Sequence, residues 1–592
     1  MNERRLVLGL AAAAVLAMAI VAWLLLSPGW AVRALDQMAE SQLGRHFTAK
    51  GGAHLDFSPL SIRFEEAALA GTTDAAERLV TAKSLVIPVT FSQLVSRQPQ
   101  VSAMALREAE FALLIDERGQ ASWDFPAAAM TGGALRLSLE QASFRYFDAR
   151  NAQALRLANV DGVVSIEADG SVTFKGSAVI NSHVAQIDFA LKSLPRVNED
   201  GSPLELAIET DAASLSFSGR LSTAKVMNLA GPLSIAAPNP AAAARWAGLA
   251  LPDDVTLPGP LNLTGALDSA GRAYALRNTT LAIGQFQAAG DLVADLRGER
   301  PKLQANLNSG PLWLDALLPA SGAEAGNWGR KPLPTGMLRS LDAEVSVLAE
   351  AVSLGALTAG PSRLAATLKD GKLNASGGLR LADGGTATFT TTVDAVVLPP
   401  SGTLTLKAEN AELAPLLTAL TGIDALSGTG NLSAELSAQG RTQEELAGTL
   451  KGSASLSIAQ AKLAGIDASS LVTALNTRIL DGWAAAPGET PLSSVTANIA
   501  LADGVATITS ASAIAGAMTL NISGTVDVLR RALDIRAMPG PPETAPLPVA
   551  VAVTGNWSAP RLYPDIPDIL NNPEGGFARL RTPPAPAPAT GN

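Results

Sequence analysis

The sequence predicts a mostly β protein, in which an N-terminal transmembrane helix leads into an extended antiparallel β-sheet with short helices. Two observations carry that expectation for the body. Apolar and polar residues alternate with a period of two through many segments, as in "GNLSAELSAQG" at 430–440, where Leu432, Ala434, Leu436 and Ala438 share one side. Asp-Gly turn signals separate such segments, at Asp169-Gly170, Asp370-Gly371 and Asp503-Gly504. A third observation carries the anchor: no charge occurs between Arg5 and Arg33.

The elements follow in chain order. Residues 1–5 read as a cytoplasmic N-terminus and residues 6–30 as the anchor. Leu6 to Leu26 is a run of 21 residues whose only polar group is the indole of Trp23. That is enough to cross ~30 Å of hydrocarbon at ~1.5 Å per residue. Trp23 and Trp30 are placed for the outer interface, Pro28-Gly29 ends the helix, and Arg4 and Arg5 hold the N-terminus inside. A cleaved signal peptide is the alternative, but its apolar region normally ends after ~7–15 residues. The polar stretch 31–51 reads as helix. Alternating runs then pass through Leu135, Leu137 and Leu139, through Ala454, Leu456 and Ile458, through Met518, Leu520 and Ile522, and through Leu547, Val549, Val551 and Val553. Roughly 25–30 strands are expected, which at ~4.8 Å spacing would extend one continuous sheet over about 120–145 Å.

Four segments repeat a strand running into a short Leu-rich helix: 82–95, 303–318, 404–420 and 462–475. Each helix is expected to lie against the sheet or cap an edge. The Pro- and Ala-rich stretch 236–260 marks the main boundary, dividing an N-terminal β-rich region (31–240) from a C-terminal one (241–581). A softer boundary falls at 322–336, and the Pro-rich tail 582–592 is low-complexity and flexible.

Composition and motifs exclude much. With 44 Lys+Arg against 54 Asp+Glu, a net charge of −10, the chain is a poor partner for nucleic acid. Without cysteine it has no disulfide, thiolate metal site or Cys nucleophile. His46, His54 and His183 show no metal-ligand spacing, and neither a nucleophile elbow nor a phosphate loop occurs. "GTGNLS" (428–433) has two of the three glycines of a dinucleotide loop and precedes a strand. Asp253-Asp254 and Glu65-Glu66 read as solvated charge rather than as acid/base pairs. No catalytic residue, metal or cofactor is expected. Aromatics are only 4% of a chain that is 47% hydrophobic, so its apolar surface is built from Ala, Leu, Val and Ile. Aromatic rings normally fill much of a dry core.

Several segments resemble the AsmA family. They are 40–69 ("ESQLGRHFTAKGGAHLDFSPLSIRFEEAAL"), 84–125 with Arg118-Gly119 before Trp123, and 142–164 through Tyr146 and Asp148. Toward the C-terminus, 446–472 with Gly465-Ile466-Asp467 and 546–565 with Gly555 to Pro560 fit the same pattern. Gln460-Ala461-Lys462 stands where the family pattern has an acidic-glycine turn, a departure expected to alter only a turn. The resemblance covers nearly the whole chain. It implies a single-pass bacterial inner-membrane protein with a cytoplasmic N-terminus and a periplasmic body. It also implies a sheet curved into a trough or groove, by likeness to bridge-like lipid transfer proteins whose curved sheet forms an apolar trough, and no catalytic residues. The implied partners are the inner-membrane bilayer, phospholipid acyl chains and outer-membrane or envelope assembly proteins.

Three functions stay open on the sequence: a trough that holds or conducts phospholipid toward the outer membrane, an envelope scaffold with a self-covered dry sheet, and an enzyme acting on envelope polysaccharide. The first makes Leu432, Leu436, Leu456, Ile458, Leu520 and Ile522 the lining of the groove, with the Ser and Glu between them facing water. A long uncovered apolar face cannot stay in water, since monomers rarely expose patches beyond a few hundred Å².

Overall fold

The structure is a computed structural model. It describes residues 28–565 apart from 72–77, 98–99, 123–132, 151–152, 225, 247–258, 318–327, 422–424, 466, 468–482, 485–487, 517, 541–549 and 559. The protein is mostly β, with few helices. Its residues fall into two compact units: one takes the chain to 251 with 259–283 and 295–297, the other takes 252–258, 284–294 and everything from 298.

The first unit opens with helix α1 (Gly29–Leu43), which begins directly after Pro28 and ends on Gly44 at φ 65°, the left-handed stop that glycine permits. Ala31 and Leu35, one turn apart, are its buried residues. Strands β1 (Phe47–Ala49) and β2 (Ala53–Phe57) pair end to end along β3 (Leu60–Ala70). The ladder continues through β4 (Arg78–Pro88), β5 (Ala103–Ile115), β6 (Leu135–Asp148), β7 (Gln153–Ile166), β8 (Val172–Ile180) and β9 (His183–Leu191). It ends with β10 (Ser202–Glu209), β11 (Ser214–Ser222), β12 (Asn228–Ala237), β13 (Leu261–Ala270) and β14 (Ala273–Ile283). The last two lie beyond residue 241 yet belong to this unit.

The second unit contains β15 (Phe286–Asp295), β16 (Lys302–Trp313), β17 (Asp342–Leu354), β18 (Leu357–Ala359), β19 (Ser362–Lys369), β20 (Lys372–Arg380) and β21 (Thr386–Asp394). Next come β22 (Ser401–Glu412), β23 (Leu426–Gln439), β24 (Lys451–Ala464), β25 (Trp483–Ala484), β26 (Glu489–Ala502) and β27 (Val505–Ala515). The last are β28 (Met518–Asp527), β29 (Ala532–Pro539), β30 (Val551–Asn556) and β31 (Arg561–Pro564). From β19 each strand pairs with the next, except that β24 skips to β26 and β25 pairs with β31.

Pairing is predominantly antiparallel, as expected, but β5–β6 and β16–β17 are parallel. A parallel pair needs a long crossover to carry the chain back to its starting end. The segments 116–134 and 314–341 provide it. All three Asp-Gly signals lie in turns between strands: Asp370-Gly371 (φ 50° and 78°) and Asp503-Gly504 (48° and 75°) are left-handed at both central positions, as a two-residue hairpin requires, whereas Asp169-Gly170 is left-handed only at Gly170 and closes a longer turn through Glu167 and Ser171. The strand-then-helix repeat is present at three of its four positions. Helix α2 (Phe91–Ser96) follows β4. After α3 (Pro240–Trp246) come α4 (Leu314–Leu317) behind β16, α5 (Gly336–Ser340), α6 (Leu413–Thr421) behind β22, and α7 (Gln443–Gly448). At the fourth position β24 ends at Ala464, and most of the expected helix lies outside the described residues.

Candidate functional site

The register of the second unit shows what its face is made of. Ala408 stands opposite Leu432, Leu432 opposite Leu456, Leu456 opposite Ala497, Ala497 opposite Ala511, and Ala511 opposite Ile522. Directly opposed residues share a face, so one apolar row crosses β22 to β28. A neighbouring row runs from Ile458 through Val495 and Ala513 to Leu520. Leu436 lies opposite Leu404. All six candidates therefore belong to one hydrophobic cluster. On the reverse side Glu435, Ser437, Ser455, Ser457, Asn521 and Ser523 are exposed, and hydroxyl and amide groups bond across strands, as between Thr496 and Ser512 (2.9 Å).

The six are not equally covered. Ile458 is 1% and Leu432 8% exposed, whereas Leu436, Leu456, Leu520 and Ile522 are only partly buried. Helix α6 packs on β23, and its buried Leu413 and Leu416 join the same cluster. The face thus has a dry part and a part whose aliphatic side chains are only partly covered.

A feature that the period-two reading missed sets the level of this face. Among the described residues, seven non-glycine strand residues adopt the left-handed backbone, each inside a related tetrapeptide: Phe64-Glu65-Glu66-Ala67, Leu106-Arg107-Glu108-Ala109, Leu139-Glu140-Gln141-Ala142, Leu157-Ala158-Asn159-Val160, Leu276-Arg277-Asn278-Thr279, Ala408-Glu409-Asn410-Ala411 and Ile458-Ala459-Gln460-Ala461. The third residue has φ between 47° and 53°. Two successive residues then point outward and the fourth returns to the apolar face, at most 5% exposed in every case. In the first unit these slips align. Phe64, Leu85, Leu106 and Leu139 form one row, and Ala67, Ala82 and Ala109 form the next, with Ala142 opposite Val160. Neighbouring side chains accept from the slipped N–H groups: Asp161 from Gln141 (2.8 Å) and Asn431 from Asn410 (3.0 Å). Gln460-Ala461-Lys462 therefore sits inside β24 and is not a turn, and Gly428 to Ser433 lies inside β23, not in a loop.

Little else has the makings of chemistry. His46 and His183 each meet one aspartate, Asp36 (3.3 Å) and Asp211 (3.0 Å). Among the described residues no group of three or more His, Asp or Glu could hold a metal ion. Glu65 and Glu66 are both exposed; Asp253-Asp254 lies outside the described residues. A recess on the wet face, lined by Ser433, Glu435, Ser455 and Asn498 among others, holds one carboxylate and no acid/base pair. Asp148 is fully buried and takes a two-pronged bond from Arg150 (2.9 and 2.8 Å). Those bonds hold its carboxyl below the usual carboxylate range against the opposing effect of burial, and burial raises the nearby Tyr146 phenol. With the Asp148 charge balanced at the end of β6, the pair is a structural clasp.

Of the anchor residues, Leu6, Trp23 and Leu26 lie outside the described residues. Among the described residues no helix is long and apolar enough to cross a membrane. Trp30 stands in the first turn of α1, partly buried against the core of the first unit, and Pro28-Gly29 opens a helix there.

The described residues build a ladder of strands with one apolar and one hydroxyl-rich face, and among them no reactive groups are assembled. The model of the AsmA family matches residues 126–511, well over half of the sequence. The chain belongs to the AsmA family, whose members are envelope-associated and which is not a known enzyme family. The matching span leaves outside it the segments 40–125 and 546–565. Comparison with curated proteins and with solved structures returns no match.

Proposed function

We propose that the protein holds or conducts phospholipids, with acyl chains lying on the apolar face of its strands. An N-terminal anchor at Leu6–Leu26 would keep it on the inner membrane with its body in the periplasm, in support of outer-membrane assembly. One observation carries the reading: Leu456 and Ile522 lie in one cross-strand row, Leu520 and Leu436 lie in other rows of the same face, and all four are only partly covered. Side chains of this kind gain ~25 cal/mol for each Å² of apolar surface removed from water, and fluid chains supply that cover without fixed packing. Family membership and the strand-rich fold support the reading.

The test is mass spectrometry of lipids extracted from the purified full chain. Stoichiometric phospholipid is expected, and its loss on detergent exchange should raise the exposure of this face. A lipid-free protein with unchanged stability would favour the other reading, an envelope scaffold that carries no lipid. The burial of Ile458 and Leu432 in the cluster that α6 joins is the observation on that side. Topology is tested separately: a reporter fused after Asn592 should be active only outside the cytoplasm.

A further inference from the structure

The first unit carries an apolar surface that the acyl-chain reading does not use. Helix α2 is short but closed by a reciprocal cap: Thr90 Oγ1 accepts from the Gln93 N–H, and Gln93 Oε1 accepts from the Thr90 N–H at 2.9 Å. Leu94, 4% exposed, enters the core and fixes the roll of the helix. Phe91 and Val95, one turn apart, consequently share its outer side and are 71% and 51% exposed. The Val89 N–H donates to the Leu60 carbonyl (3.1 Å), which ties this helix to the β2–β3 turn. Phe57, the register partner of Leu60, is 67% exposed there. Isolated surface hydrophobics are ordinary, whereas three held at one end of adjoining strands call for an apolar occupant.

The chain itself indicates which one. The uncharged run Leu6–Leu26 joins the described structure at Pro28, where α1 begins. Helix α1 packs through Ala31 and Leu35 into the same cluster as Val89, Leu94 and Leu60. A membrane span arriving at that point brings this unit to a bilayer surface, and aromatic rings on a rigid support suit its headgroup zone. We infer that Phe57, Phe91 and Val95 seat the first unit in the interface of the membrane that holds the anchor, an inference that rests on reading Leu6–Leu26 as a span.

The absence of native cysteine makes single-cysteine labelling unambiguous. The full chain would be reconstituted in vesicles of phosphatidylethanolamine and phosphatidylglycerol, with an environment-sensitive fluorophore at Phe57→Cys, Phe91→Cys or Val95→Cys. Val184→Cys serves as the control, since Val184 is 61% exposed at the other end of the strands, on β9. Labels at the three positions should be blue-shifted and quenched several-fold more strongly by a lipid-borne nitroxide than the control. Labels open to aqueous iodide to the same degree as the control would overturn the inference. So would labels shielded from both quenchers, which would mean a second copy or another protein covers the patch. An alkaline wash scores the anchor independently of any label: chain released from the vesicles would overturn the span on which the inference rests.

Discussion

A carboxylate placed at two levels of the second unit's apolar face separates a lipid-covered surface from a dry core. Ile458 is 1% exposed and faces Gly430 and Val495. Ile458→Asp leaves a buried charge without a partner, a cost of roughly 3–5 kcal/mol, against roughly 5–15 kcal/mol for the stability of a whole domain. Leu436 and Leu520 are partly exposed already. Complete burial of a leucine is worth about 1.5–3 kcal/mol, so each Asp there forgoes about 1–2 kcal/mol and keeps water on its open side. Strands in a ladder contact mainly their neighbours, so local protection is more telling than one melting temperature. Hydrogen exchange across β23–β28 and lipid content by mass spectrometry are the paired assays. Ile458→Asp should expose these strands. The double variant Leu436→Asp/Leu520→Asp should stay protected and lose lipid. Equal loss of protection in both would refute the argument and mark the face as dry throughout, while a protected double variant with full lipid would remove these residues from the lining.

Three further outcomes follow from the geometry. Ala142→Leu, at a site with 0% exposure opposite Val160, should cost about 1–3 kcal/mol in urea titration, whereas Gln141→Gly, which relieves a φ of 53°, should be neutral or stabilising by up to about 1 kcal/mol. Arg150→Ala should destabilise the first unit by an amount near the lower end of the ~3–5 kcal/mol of a broken buried pair, since Arg150 is itself partly exposed. The folded-state pKa of Asp148 is lowered, so the wild-type pair stabilises fully above the ordinary carboxylate pKa, and that contribution fades as pH falls through the lowered value; the variant should lack this acid-dependent component. Arg531 lies 4.5 Å from the Trp328 ring and 5.7 Å from that of Trp557, so Arg531→Ala should cost about 0.5–2 kcal/mol and shift tryptophan emission to the red; unchanged emission would count against the contact.

Much of this architecture was legible from the period-two pattern because a strand with one wet face must alternate. The runs through Leu432–Leu436 and Leu520–Ile522 share one face once the register is known, and Asp370-Gly371 and Asp503-Gly504 make the tight turns their backbone preferences imply. The parallel pairs were not legible, since alternation is the same whichever way a neighbour runs. Nor was the difference in cover between Ile458 and Leu456, which depends on the tertiary packing around each and leaves no mark on the alternation. The slips were readable in principle. Leu139-Glu140-Gln141-Ala142 breaks alternation by placing two polar residues together between apolar ones, and Ile458-Ala459-Gln460-Ala461 hides the same break behind an alanine.

The aligned slips also bear on how such a chain changes in length over generations. A tetrapeptide that contains its own left-handed residue carries its phase with it, so a duplicated hairpin arrives already in step with its neighbours and presents the right side chains inward. Losing one residue from a single tetrapeptide removes the slip itself: the strand returns to plain alternation with its apolar side still inward, and its ladder falls one residue short of Ala109 and Val160 on the strands to either side. Whole hairpins are therefore the natural unit of gain and loss here, while a single-residue deletion at one of these places exchanges a bulge for a local mismatch with the neighbouring strands.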